Sequence, residues 1–87
     1  MTYAILQERS FQRDFRKLPE QLRVRLSTAI RNLQDDPFRP RPKADIVQLA
    51  GGQHTKYRLR VGTYRIFYCV EGKTVKLLEV EHRKRAY

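Results

Sequence analysis

Cysteine occurs once, at Cys69, in a chain of 87 residues. No intrachain disulfide can form, and a single thiol suits a reducing compartment. Cys69 sits inside an apolar run, with no second thiol to make a metal site. Histidine is nearly as scarce. His54 and His82 lie far apart and the carboxylates are scattered, so no group has metal-ligand spacing, and neither a metal nor a small-molecule cofactor is expected. Also missing is any apolar stretch of about 18 residues, the length a membrane-spanning helix requires. The N-terminus lacks the charged-then-apolar order of a secretory signal. These absences predict a cytoplasmic protein with no membrane partner.

Negative charge is the other shortage: 9 acidic residues stand against 19 basic ones, for a net charge of +10. The surplus is uneven. Residues 1–36 hold 7 basic and 5 acidic side chains, and residues 37–87 hold 12 and 4. The first part reads as a solvated surface of mixed sign, the second as a surface for a polyanion, with nucleic acid or a ribonucleoprotein as the expected partner. The length predicts one domain over residues 1–87, able to bury about 60–65% of the surface its unfolded chain exposes.

What is present has clear periodicity. Tyr3-Ala4-Ile5-Leu6 is short, apolar and β-prone, and predicts a first strand. Ser10 offers a cap for a first helix, in which Phe11, Phe15 and Leu18 recur at helical spacing. Pro19 interrupts that helix and opens the next, where Leu22, Leu26, Ala29, Ile30 and Leu33 form one stripe until Asp35-Asp36-Pro37. Prolines and glycines punctuate residues 37–53, but Ile46, Val47 and Leu49 predict that this segment docks on the body. From Thr55 onward the period becomes that of strands. Tyr57–Val61 alternates, Gly62-Thr63 turns, Tyr64–Val70 is apolar apart from Arg65, Glu71-Gly72-Lys73 turns again, and Val75–Val80 follows. The expected fold class is α+β: an N-terminal strand, a two-helix hairpin, then a three-stranded antiparallel sheet with the helices on one face.

Residues two apart on a strand share a side, so Arg58 and Arg60 are expected on one face, with Tyr57, Leu59 and Val61 on the other. Arg65 interrupts an apolar strand, where a charged group requires a partner or a ligand; Glu79 or Glu81 is an internal alternative. The chain ends His82-Arg83-Lys84-Arg85-Ala86-Tyr87. Guanidinium groups stay protonated and grip phosphate oxygens bidentately, and a histidine or tyrosine can move protons. That set suits cleavage of a phosphodiester.

The block Tyr57-Arg58-Leu59-Arg60-Val61-Gly62-Thr63-Tyr64-Arg65-Ile66-Phe67-Tyr68 resembles the best-defined motif of the RelE/ParE superfamily of toxin–antitoxin toxins. Three further pieces are similar: a strand leading to Phe11–Leu18 and the Lys17-Leu18-Pro19 turn, the Leu49-Ala50-Gly51 element, and the ending Val80-Glu81-His82-Arg83 with Tyr87. The likeness covers essentially the whole chain. It implies the RelE-like microbial ribonuclease fold and, in the RelE-like branch, a ribosome-dependent endonuclease that cuts mRNA in the A site. The catalytic set it implies is Arg58, Arg60, Arg65, His82, Arg83 and Tyr87. Arg41, Lys43, Lys56, Lys84 and Arg85 are the expected RNA-binding residues. The implied partners are a cognate RelB-like antitoxin, the ribosome and mRNA. Two other readings stay open: a ParE-like inhibitor of DNA gyrase, which is not an enzyme, and a plain RNA- or ribosome-binding module.

Overall fold

The computed structural model describes residues 2–49 and 55–83. Strand β1 (Ala4–Gln7) leads into helices α1 (Arg9–Arg16) and α2 (Glu20–Asp35), followed by β2 (Asp45–Leu49), β3 (Lys56–Val61), β4 (Tyr64–Glu71) and β5 (Thr74–His82). The strands form one sheet in the order β1-β5-β4-β3-β2, with β1 parallel to β5 and every other pair antiparallel. The α+β class agrees with expectation. The strand count does not: residues 45–49, expected only to dock, add an edge strand beside β3. The prolines before it hid it, and the adjacent apolar residues Ile46 and Val47 break the polar–apolar alternation that would have announced a strand.

Both hairpin loops have two residues, Gly62-Thr63 and Gly72-Lys73, with glycine first at φ 60° and 59°. Only glycine takes that conformation without cost, and a turn of this kind matches the twist of paired strands. The helix hairpin turns at Pro19, which precedes Glu20, the first residue of α2. Ser10 does not cap α1. Glu8 occupies the cap position, and the Ser10 hydroxyl donates to the Leu78 carbonyl at 2.6 Å. Leu78 is an extra residue on β5, since Phe67 pairs with Glu79 and Tyr68 with Leu77. The resulting β-bulge supplies the acceptor that fastens α1 to the sheet.

The core joins Phe11, Leu26, Ile30 and Leu33 of the helices to Ile46, Leu59, Ile66, Tyr68, Val75, Leu77 and Val80 of the sheet. Each side chain of leucine size buried there contributes about 1.5–3 kcal/mol. Tyr68 is completely buried, and its hydroxyl donates to the Pro37 carbonyl at 2.7 Å. All the helix residues in this core lie against one face of the sheet; among the described residues, no helix covers the other.

Candidate nucleic-acid interface

Strand register arranges the uncovered face in rows. Asp45, Arg60, Arg65 and Glu81 are successive partners across β2, β3, β4 and β5. Val47, Arg58, Phe67 and Glu79 form the next row, and Leu49, Lys56, Cys69 and Lys76 the third. Arg58, Arg60 and Arg65 therefore share a face, as alternation predicts, with Leu59 turned into the core. Arg60 Nε donates to Asp45 Oδ2 at 3.0 Å in a half-exposed pair. Arg58 Nε is shielded from solvent and, among the described residues, has no hydrogen-bond acceptor. Burial pushes the Cys69 thiol above its ordinary pKa, so it stays protonated and unreactive at neutral pH.

The four carboxylates of residues 37–87 are Asp45, Glu71, Glu79 and Glu81, and strand parity puts all four on this same face. Its cations are thus interleaved with carboxylates. Among the described residues, the other cations of this half are Arg39, Arg41, Lys43, Lys73 and Arg83, which lie outside these rows.

His82 is not among these arginines. It pairs with Tyr64, whose ring packs on the core, and the two rings meet edge to face at 4.9 Å. His82 lines a cleft of about 690 Å³ on the helix side together with Asp14, Lys17, Leu18, Tyr64, Val80 and Glu81. The Leu78 bulge explains the placement. Alternation carried unbroken from Val75 and Leu77 would put His82 beside Arg65; one extra residue reverses the side. Arg83 follows β5, its N–H donating to Thr63 O at 2.6 Å, two residues beyond Glu81, the partner of Arg65.

Residues 5–87 match the family described as ParE toxin of type II toxin-antitoxin system, parDE. The chain belongs to the RelE/ParE family of toxins. The curated toxin RelE3 of Methanocaldococcus jannaschii is 35% identical over 83 residues, covering 95% of this chain and 93% of that protein. The toxin also superimposes on the RelE–RelB complex of Pyrococcus horikoshii OT3, with a TM-score of 0.82 and 31% identity over 98% of this chain and 99% of that one. For the RelB–RelE antitoxin–toxin complex of Methanococcus jannaschii the TM-score is 0.76, at 33% identity over 94% of each chain.

One expected RNA-binding residue of the toxin, Arg41, has local partners. Arg41 donates to the carbonyls of Asn32 at 2.6 Å, Asp36 at 2.9 Å and Arg39 at 2.7 Å, closing the C-terminal end of α2. Lys43 and Lys56 are exposed. Lys84, Arg85 and Tyr87 lie outside the described residues, as do His54 and the Ala50-Gly51 part of the Leu49 element. Sequence reasoning passed over two contacts, of which the first belongs to the site. Asp45 holds Arg60, a pair set by the register of β2 on β3. Arg25 of α2 lies against the β3–β4 turn, where a Cβ on Gly62 would sit 3.3 Å from its Nη2. No local pattern encodes that contact between distant elements.

Proposed function

We propose that this toxin is a ribosome-dependent endoribonuclease that cuts mRNA in the A site by attack of a 2′-hydroxyl, leaving a 2′,3′-cyclic phosphate. One observation carries the reading: Arg58, Arg60 and Arg65 share the uncovered face of a rigid sheet, and Arg83 is anchored at the end nearest Arg60 and Arg65. Cleavage requires a base for the 2′-hydroxyl, cations for the phosphorane-like charge, and an acid for the leaving 5′-oxygen. Arg65 and Arg83 take the scissile phosphate, with Arg58 and Arg60 as further phosphate ligands. His82 is on the opposite face, so proton transfer is assigned to Tyr87, whose phenolate a group of arginines would favour. His82 then serves to hold the strand end through Tyr64. The ribosome supplies substrate positioning, which suits a chain with few acids and bases. A RelB-like antitoxin is the proposed partner, in keeping with the RelE–RelB complexes that this chain resembles.

The gyrase-inhibitor reading has two supports of its own: the matched family description names ParE, and carboxylates stand in register with the arginines. Adding the toxin to translating ribosomes while mapping mRNA 5′ ends, and in parallel to a supercoiling assay, separates the two. Cleaved mRNA with undisturbed supercoiling is the expected result; blocked supercoiling with intact mRNA reverses the assignment. A 2′-deoxy nucleotide at the cleavage site should abolish cutting, and an unchanged rate would rule out 2′-hydroxyl attack.

A further inference from the structure

Phe38 is 44% exposed, yet its loop is held rigidly. Asp36 Oδ1 accepts the N–H groups of Phe38 at 2.9 Å and Arg39 at 3.2 Å, and Asp36 Oδ2 receives Arg39 Nε at 3.4 Å. The bond from the Phe38 N–H holds the Asp36 carboxyl below the usual carboxylate range. Arg41 ties three carbonyls of the same stretch, and buried Pro37 accepts the Tyr68 hydroxyl. A ring fixed this firmly loses little entropy when something docks on it.

Its neighbours are aromatic and cationic. Phe38 meets Tyr3 edge to face at 6.1 Å and Tyr57 at 5.6 Å, and Tyr57 stacks on Tyr68 at 5.4 Å. Lys73 Nζ sits 5.0 Å above the Tyr3 ring, and the Arg39 side chain is 71% exposed. The patch runs from Tyr57, which pairs with Tyr68 about 10 Å along β4 from Arg65, to the β4–β5 turn end of the sheet. Asp36 and the exposed Asp35 are the carboxylates near it, and backbone donors and Arg39 already engage the oxygens of Asp36.

We infer that the Phe38 loop is a second, separate contact for single-stranded RNA, in which the Phe38 ring stacks on an unpaired base while Arg39 and Lys73 take flanking phosphates. Exposed rings beside cations bind single strands because every base presents a π-face. A peptide partner would require an apolar socket. The hollow formed by the same loop has polar residues along most of its wall, Asn32, Asp35, Asp36, Arg39 and Lys43 among them, and Phe38 itself does not line it. The inference rests on the reading that this toxin handles RNA, but not on the arginines assigned to cleavage.

The test is fluorescence anisotropy of the toxin with oligoadenylate and, separately, with inorganic polyphosphate, which has charge but no bases. Phe38→Leu should weaken oligoadenylate binding about fivefold or more, as loss of one stacked base predicts, while leaving polyphosphate binding unchanged. Phe38→Trp should restore it. The inference is overturned if Phe38→Leu binds oligoadenylate as wild type does, or if it loses both ligands equally. It is also overturned if the wild-type toxin fails to bind oligoadenylate, or if Phe38→Leu loses only an acidic peptide. Ribosomal mRNA cleavage, measured in the same variant, is scored apart. Cleavage with Phe38-independent binding sinks this site alone, whereas Phe38-dependent binding without cleavage sinks the nuclease reading alone.

Discussion

Arg60 and Arg65 are directly opposed across the β3–β4 ladder, on the face the helices leave uncovered. Like charges in that relation destabilise a sheet by up to about 1 kcal/mol. Asp45 stands beyond Arg60, and Glu81 beyond Arg65, so a carboxylate backs each cation and the two positive groups meet in the middle of the row. An anionic phosphate oxygen between them would relieve that repulsion.

Arg65→Ala should therefore relieve growth inhibition and reduce mRNA cleavage by about 10²–10³-fold, the usual cost of removing one donor to developing charge. The fold should persist, because one of two opposed like charges is gone; thermal unfolding and circular dichroism check this. An Arg65→Ala toxin as active as wild type would remove Arg65 from the site.

Tyr68→Phe tests the junction between the sheet and the residue 37 turn. The hydroxyl is fully buried and donates to Pro37 O, so its loss leaves a carbonyl unsatisfied and should cost about 1–2 kcal/mol by urea unfolding. Burial, followed by the nearby Tyr57, pushes the Tyr68 pKa well above that of an ordinary phenol. In the unfolded chain that phenol ionises near about 10, so the unfolded state loses its proton first as pH rises. The stability that Tyr68 contributes is thus complete below about pH 10 and declines above it. The gap between wild type and Tyr68→Phe should be full at pH 8 and narrower at about pH 11; a gap that widens would contradict the burial.

Much of the fold was legible because side chains obey simple periods. Leu22, Leu26, Ala29, Ile30 and Leu33 gave α2, and the alternation of Tyr57–Val61 placed Arg58 and Arg60 correctly opposite Leu59. Two features broke the reading. Prolines masked β2, and with it the Asp45 carboxylate that engages Arg60. The Leu78 bulge, set by a helix contact through Ser10, turned His82 to the far face. A bulge is decided by packing between elements distant in sequence, and no local pattern announces it.

Arg41→Gln separates a structural role from RNA contact. Its guanidinium serves the carbonyls of Asn32 and Asp36 at the end of α2 and that of Arg39 in the loop beyond. The variant should lose about 1–3 kcal/mol of stability. If stability is unchanged while RNA binding falls, the residue belongs to the interface instead.

Asp45→Ala asks whether the carboxylate competes with RNA for Arg60. The pair is half-exposed on both sides, so solvent screening keeps its contribution below about 1 kcal/mol, and unfolding should barely change. Released from Asp45, Arg60 can take a further phosphate. Binding of a single-stranded RNA should then tighten, and its dependence on log salt concentration should steepen by about 0.7. Asp45→Asn should behave in the same direction, since the charge is removed while the shape is kept. Weaker binding in both variants would mean that Asp45 orients Arg60 toward the substrate, and that the row works as one preorganised unit instead of as a cation held in check by its neighbour.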